Sequence, residues 1–121
     1  MPAPLGNMPT RKMPKIDVLG IEDSPPTRAA VRFFRERRVV VRFLDLRKAP
    51  IDAGDLRLFL DRLGMAVLED ADPAADRGGL LARVRADPSL LRLPLVRHGD
   101  ELTAGPDEVA WTAWLARRRP R

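Results

Sequence analysis

The chain has 121 residues, 45% hydrophobic and 32% charged, with 22 basic against 17 acidic side chains and a net charge of +5. That length suits one domain with a modest core, and no apolar run approaches the roughly 18 residues a membrane helix needs. There is no cysteine and one histidine, His98, which excludes disulfides, a thiol nucleophile and thiolate ligation within the chain and argues against a histidine-built metal site.

The opening "MPAPLGNMPTRKMPK" lacks the apolar centre of a signal peptide. Its prolines predict a flexible leader over residues 1–14, and cytoplasmic residence is the expectation. "KIDVLG", 15–20, predicts a first strand with Ile16, Val18 and Leu19 inward. "GIEDSPPTRAAVRFFRER" follows, with a helix expected over 25–37 and Ala30, Val31, Phe33 and Phe34 as its buried stripe. Ser24 is a preferred N-cap, and Pro25 and Pro26 fall where a helix start tolerates proline. Arg28, Arg32 and Arg35 stand at i, i+4 and i+7 and share one outer face. That stripe reads either as a solvated face or as a contact for an acidic partner.

"VVVRFLDL", 39–46, is almost continuously apolar, the pattern of a strand covered on both sides in a parallel sheet. With the preceding helix it completes a βαβ unit. A second helix is expected over 53–63, capped by Asp52, with Asp55 three residues on and Gly64 as its stop. Its apolar face is Leu56, Phe59, Leu60 and Leu63. Residues 65–79, "MAVLEDADPAADRGG", read as irregular and acidic, and "LLARVRADPSLL" as a short helix broken at Pro88.

"PLVRHGDELTA" predicts a β-hairpin turning at His98–Gly99, with His98 exposed. "GPDEVAWTAWLARRR" predicts a last helix with Val109, Ala110, Ala113 and Trp114 inward, followed by a basic tail, 117–121. The order βα, βα, helical insert, ββ, α is that of an α/β, thioredoxin-like fold, expected as one domain over 15–116.

In this order, "LGIEDSPPTRAAVRFFRERR", "FLDLRKAPIDAGDL", "ADPSLLRLPLVRHGD" and "GPDEVAWTAWL" resemble the arsenate reductase (ArsC)/Spx family across residues 16–115. The resemblance implies a thioredoxin-like fold and kinship with glutathione- or thioredoxin-dependent oxidoreductases. It places the family's nucleophilic cysteine on Ser24 and the second position of its Cys-x-x-Cys or Cys-x-x-Thr on Thr27. It also implies that Pro94 is cis and faces that loop. The arginines that hold arsenate in the family fall on Leu93 and, at the nearest match, Leu68.

These departures decide the expected activity. A helix N-terminus is worth at most about 2 kcal/mol to a charged group, roughly 1.5 pKa units. That shift brings a thiol near neutrality, but it does not ionise a serine hydroxyl without a base. Pro25 and Pro26 remove two backbone donors, and Glu22 and Asp23 would repel an oxyanion. The expectation is a cysteine-free, non-catalytic binding or regulatory protein with no cofactor and no bound metal.

Its expected contact is the Arg28, Arg32, Arg35 stripe against an acidic surface, and the resemblance to Spx-like members, which bind RNA polymerase, implies a partner of that kind. Nucleic acid is not favoured, because no exposed aromatic is interleaved with the basic residues. Two alternatives stay open. One is a glutathione-binding protein or transferase in which Ser24 hydrogen-bonds the cofactor's thiolate beside Pro94. The other is a thiol oxidoreductase like arsenate reductase, should Ser24 stand in place of a native cysteine.

Overall fold

A computed structural model describes residues 15–69 and 77–117. The proposed leader (1–14), the middle of the acidic stretch (70–76) and the end of the basic tail (118–121) lie outside the described residues. The elements are β1 (Lys15–Gly20), α1 (Pro25–Glu36), β2 (Val40–Asp45), α2 (Ala53–Leu63), α3 (Arg77–Ala86), β3 (Leu95–His98), β4 (Glu101–Ala104) and α4 (Glu108–Arg117). Single turns of 3-10 helix at Gly64–Val67 and Pro88–Leu90 flank α3.

The sheet runs β2-β1-β3-β4, with β2 parallel to β1, β3 antiparallel to β1 and β4 antiparallel to β3. This is the α/β, thioredoxin-like arrangement, with α3 and its flanking turns as the helical insertion.

Register divides the side chains between two cores, because paired residues share a face. Val18 pairs with Phe43 and Val96, and Ile16 with Val41. These residues meet Ala30, Phe33 and Phe34 of α1 and Trp111 and Trp114 of α4. Trp111 lies 5.4 Å from the Phe33 ring and 5.1 Å from the Phe34 ring, centroid to centroid. Its indole N–H donates to Thr103 Oγ1 at 2.8 Å, which satisfies the one polar atom of a buried ring. On the other face Leu19, Leu44 and Leu95 pack against Leu56, Phe59 and Leu60 of α2 and Leu80 and Val84 of α3.

Helix ends follow the local chemistry. Asp52 accepts from the Gly54 N–H at 2.8 Å, and α2 stops where Gly64 takes a φ of +64°. Arg38 ends α1 with a φ of +62°, a conformation that costs glycine less than arginine.

Several expectations need correction. β2 feeds cores on both faces as expected, but among the described residues it is an edge strand, with Val40 45% exposed. Its apolar run serves two cores, Val41 and Phe43 on the α1 side and Leu44 with Leu46 on the α2 side, so it looks fully buried in sequence. In α4, Val109 is 84% exposed and Ala113 is exposed, while Trp111 and Trp114 are buried. The two large indoles, three residues apart, set the helix phase.

The hairpin turns at Gly99–Asp100, since His98 pairs with Glu101, and Gly99 has a φ of +60°. His98 is half-buried and stacks on Trp114 with ring centroids 5.7 Å apart; it is not an exposed turn residue. Residues 64–67 form a helical turn, not an irregular stretch, because Val67 and Leu68 bury themselves against the α2-side core.

Candidate functional site

The loop between β1 and α1 is built from its hydrogen bonds. The Ser24 N–H donates to the Ile21 carbonyl at 2.9 Å, which closes a turn with Glu22 and Asp23 at its exposed tip. Ser24 is the N-cap of α1: its backbone is extended and its Oγ accepts from the Thr27 N–H at 3.4 Å. Pro25 and Pro26 bring no N–H. The Arg28 N–H is already bonded to the Ser24 carbonyl at 2.9 Å. The first turn of α1 therefore has no free N–H to offer an anion, although a helix start is ordinarily an anion site.

Thr27 sits beneath this loop, 1% exposed, against Gly20 at the end of β1. A Cβ on Gly20 would lie 2.6 Å from Thr27 Cγ2, so only glycine lets helix and strand approach this closely. Thr27 Oγ1 is buried and has no hydrogen-bond partner among the described residues.

The Leu93–Pro94 peptide bond is cis. Leu19 pairs with Leu95, so Pro94 leaves the sheet at the same end as the Ser24 loop. Its carbonyl accepts the Gly105 N–H at 2.9 Å. Leu93 and Leu68 are both buried in the α2-side core. At these two positions the chain thus offers apolar surface to the loop's surroundings and no cation.

Arg28, Arg32 and Arg35 run along the exposed face of α1, with Arg28 in the first turn beside the Ser24 loop and the other two leading away from it. With Val31 and Phe43 they line a groove of about 520 Å³ between α1 and the β2 edge, flanked by Glu22 and Glu36. None of the three guanidiniums has a hydrogen-bond or ion-pair partner among the described residues. Other arginines are tied down: Arg37 to the Phe33 carbonyl, Arg62 to Asp100, Arg85 to Ile51 and Arg92 to Ala66.

One cluster escaped the sequence reading. Arg97 donates to Asp17 at 2.9 Å and to Asp55 at 2.9 Å, and Arg42 donates to Asp17 at 3.1 Å. Burial works against the Arg97 charge, but the bonds to Asp55 and Asp17 outweigh it and hold its pKa above the ordinary value. Both carboxylates are occupied by guanidinium, which leaves neither placed for acid–base work. The signal was available as charged residues inside two apolar strands, Asp17 in "KIDVLG" and Arg97 in "PLVRH". Among the described residues no group of His, Asp and Glu is placed to hold a metal ion. No described helix is long and apolar enough to cross a membrane.

No family model matches the sequence, and no curated protein does. Solved structures do match. A protein titled YFFB (PA3664) is 22% identical with a TM-score of 0.72, over 81% of this chain and 96% of that one. An arsenate reductase from Vibrio cholerae is 13% identical with a TM-score of 0.69, over 83% of this chain and 98% of that one. An arsenate reductase (ArsC) related protein from Brucella melitensis is 19% identical with a TM-score of 0.59, over 84% and 94%. Likeness at these identities establishes the fold: the chain has the architecture seen in arsenate reductases and related proteins.

Proposed function

We propose that this is a cytoplasmic, cysteine-free protein of the ArsC/Spx type that works by binding an acidic protein partner and not by thiol chemistry. One observation carries the reading: the first turn of α1 holds a serine cap, two prolines and no free N–H, where the resemblance puts a nucleophile and an oxyanion. Arsenate reduction needs a thiolate to attack arsenic and cations to hold the oxygens. This chain has no thiol, and the positions that would carry cations are Leu93 and Leu68.

The binding half of the proposal rests on Arg28, Arg32 and Arg35, three guanidiniums without an ion-pair partner among the described residues, in a groove shared with Val31, Phe43, Glu22 and Glu36. An arginine array of this kind suits carboxylates. RNA polymerase, by analogy with Spx-like proteins, is the first partner to try.

Two measurements test the proposal. Purified protein given arsenate with glutathione, glutaredoxin or thioredoxin should show no turnover, and Ser24→Cys should not restore it. Repeated turnover by the unaltered protein would overturn the non-catalytic reading. Capture of RNA polymerase or another acidic protein should fail for the combined R28E, R32E, R35E variant; equal capture by both would remove the arginine stripe from the account.

A further inference from the structure

We infer that β2 is a strand-addition site, where an extended acidic peptide pairs with the open edge of the sheet and aims alternate side chains at Arg28, Arg32 and Arg35. This rests on the acidic-partner reading above and specifies how the partner binds.

In a parallel pair the two backbone groups of one residue point to the same side, and successive residues alternate. The Leu46 N–H donates to the Gly20 carbonyl at 2.8 Å. With the register Leu44 to Leu19 and Arg42 to Asp17, the even-numbered residues of β2 therefore bond to β1. Val41 and Phe43 turn their N–H and carbonyl groups outward. Among the described residues β2 is the last strand on that side, and none of them supplies a bond to those outward groups. An edge of six residues with no proline and no bulge is a ready template for another strand.

Residues paired across a ladder share a face, so partner residues opposite Val41 and Phe43 would project to the α1 side. That side holds the groove lined by Val31, Phe43 and the three arginines, which have no ion-pair partner among the described residues. Such an opening suits acidic side chains, with apolar stems lying on Val31 and Phe43.

Other occupants fit worse. A second copy adding antiparallel would place both α1 helices on the same face and set each arginine stripe against its twin. The chain's own leader carries Arg11 and Lys12, which repel the stripe, and Pro2, Pro4, Pro9 and Pro14, which cannot donate to a ladder. Nucleic acid could meet the guanidiniums, but donors and acceptors at strand spacing call for a peptide backbone.

The test uses 15N-labelled full-length protein and the synthetic peptide Ac-EVEVEVE-NH2, with Ac-KVKVKVK-NH2 as control. The acidic peptide should slow amide exchange at Val41 and Phe43 by about tenfold or more, while Arg42 and Leu44, already bonded to β1, stay unchanged. The lysine peptide should not bind. R28E, R32E, R35E, all on the exposed helix face, should weaken binding by about tenfold or more.

Binding that depends on the arginines but leaves Val41 and Phe43 exchange unaltered would overturn strand addition while sparing the acidic-partner reading. No arginine-dependent binding of peptide or protein would overturn both. Concentration-dependent slowing of the same amides without peptide would overturn the proposal in favour of self-pairing.

Discussion

Replacing Thr27 by valine should make the protein more stable, although the residue lies at the heart of the loop region. Thr27 is the third residue of α1, 1% exposed, and its Oγ1 has no partner among the described residues. A buried polar group left unsatisfied costs about 1–3 kcal/mol. Valine keeps the shape, replaces the hydroxyl by a methyl, and retains the N–H that Ser24 caps. Helix propensity is nearly equal for the two residues.

Taking the low end of the penalty gives a gain of about 1 kcal/mol, a rise in Tm of about 4 °C for a domain this size. Thr27→Ser is the matched control. It keeps the hydroxyl and deletes the methyl packed toward Gly20, and should cost about 1 kcal/mol. Urea titration followed by far-ultraviolet circular dichroism, with equal slopes required of all three proteins, measures both effects. A lower midpoint for Thr27→Val than for the unaltered protein would refute the reasoning, because it would mean the hydroxyl is satisfied.

Gly20→Ala should destabilise by about 1–3 kcal/mol through overpacking, since its new carbon would lie 2.6 Å from Thr27 Cγ2. The loss should shrink in a Thr27→Ala background, a coupling readable from a double-mutant cycle in urea. Ser24→Ala should cost about 0.5–1 kcal/mol, the lower part of the range for a cap, because the Ser24 Oγ bond is long at 3.4 Å; thermal melts suffice to measure it.

Arg97→Met strips Asp17 and Asp55 of their shared cation. Arg97 and Asp17 are 18% and 15% exposed, so water only partly relieves the loss, and about 1–3 kcal/mol is expected. Since the folded-state pKa of Arg97 is raised, its contribution is complete below the unfolded value and fades only as pH climbs through the folded one. The difference between variant and parent, followed by chemical denaturation, should stay flat across neutral and mildly alkaline pH.

Local chemistry was legible and lateral order was not. Ser24 and Asp52 as caps and Gly64 as a stop depend on a few neighbouring residues, and the βα, βα, ββ, α order follows from runs of apolar pattern. The position of β2 at an edge depends on where the β3–β4 hairpin docks, about 50 residues later along the chain. "VVVRFLDL" gives no hint of it, because the strand feeds apolar side chains to both faces. The phase of α4 failed for a related reason: Val109, Ala110, Trp111, Ala113 and Trp114 offer two overlapping apolar stripes, and only the position of Phe33 and Phe34 selects between them.

The Asp17–Arg97–Asp55 cluster joins residues 80 and 42 positions apart, beyond any local pattern. At the candidate site, the cap and the missing donors could be read from "SPPT". The open edge beside the arginine stripe could not.

The aromatic arrangement has a spectroscopic consequence. The chain contains no tyrosine, and both indoles belong to the core between the sheet and α1 and α4. Intrinsic fluorescence therefore illuminates one hemisphere of the molecule, while the hemisphere under α2 and α3, with Phe59 at its centre, stays dark. Coincident emission and backbone transitions would mean that the two hemispheres melt as a single cooperative unit. An emission change that comes early would show the α1–α4 hemisphere loosening first, with the dark one still closed.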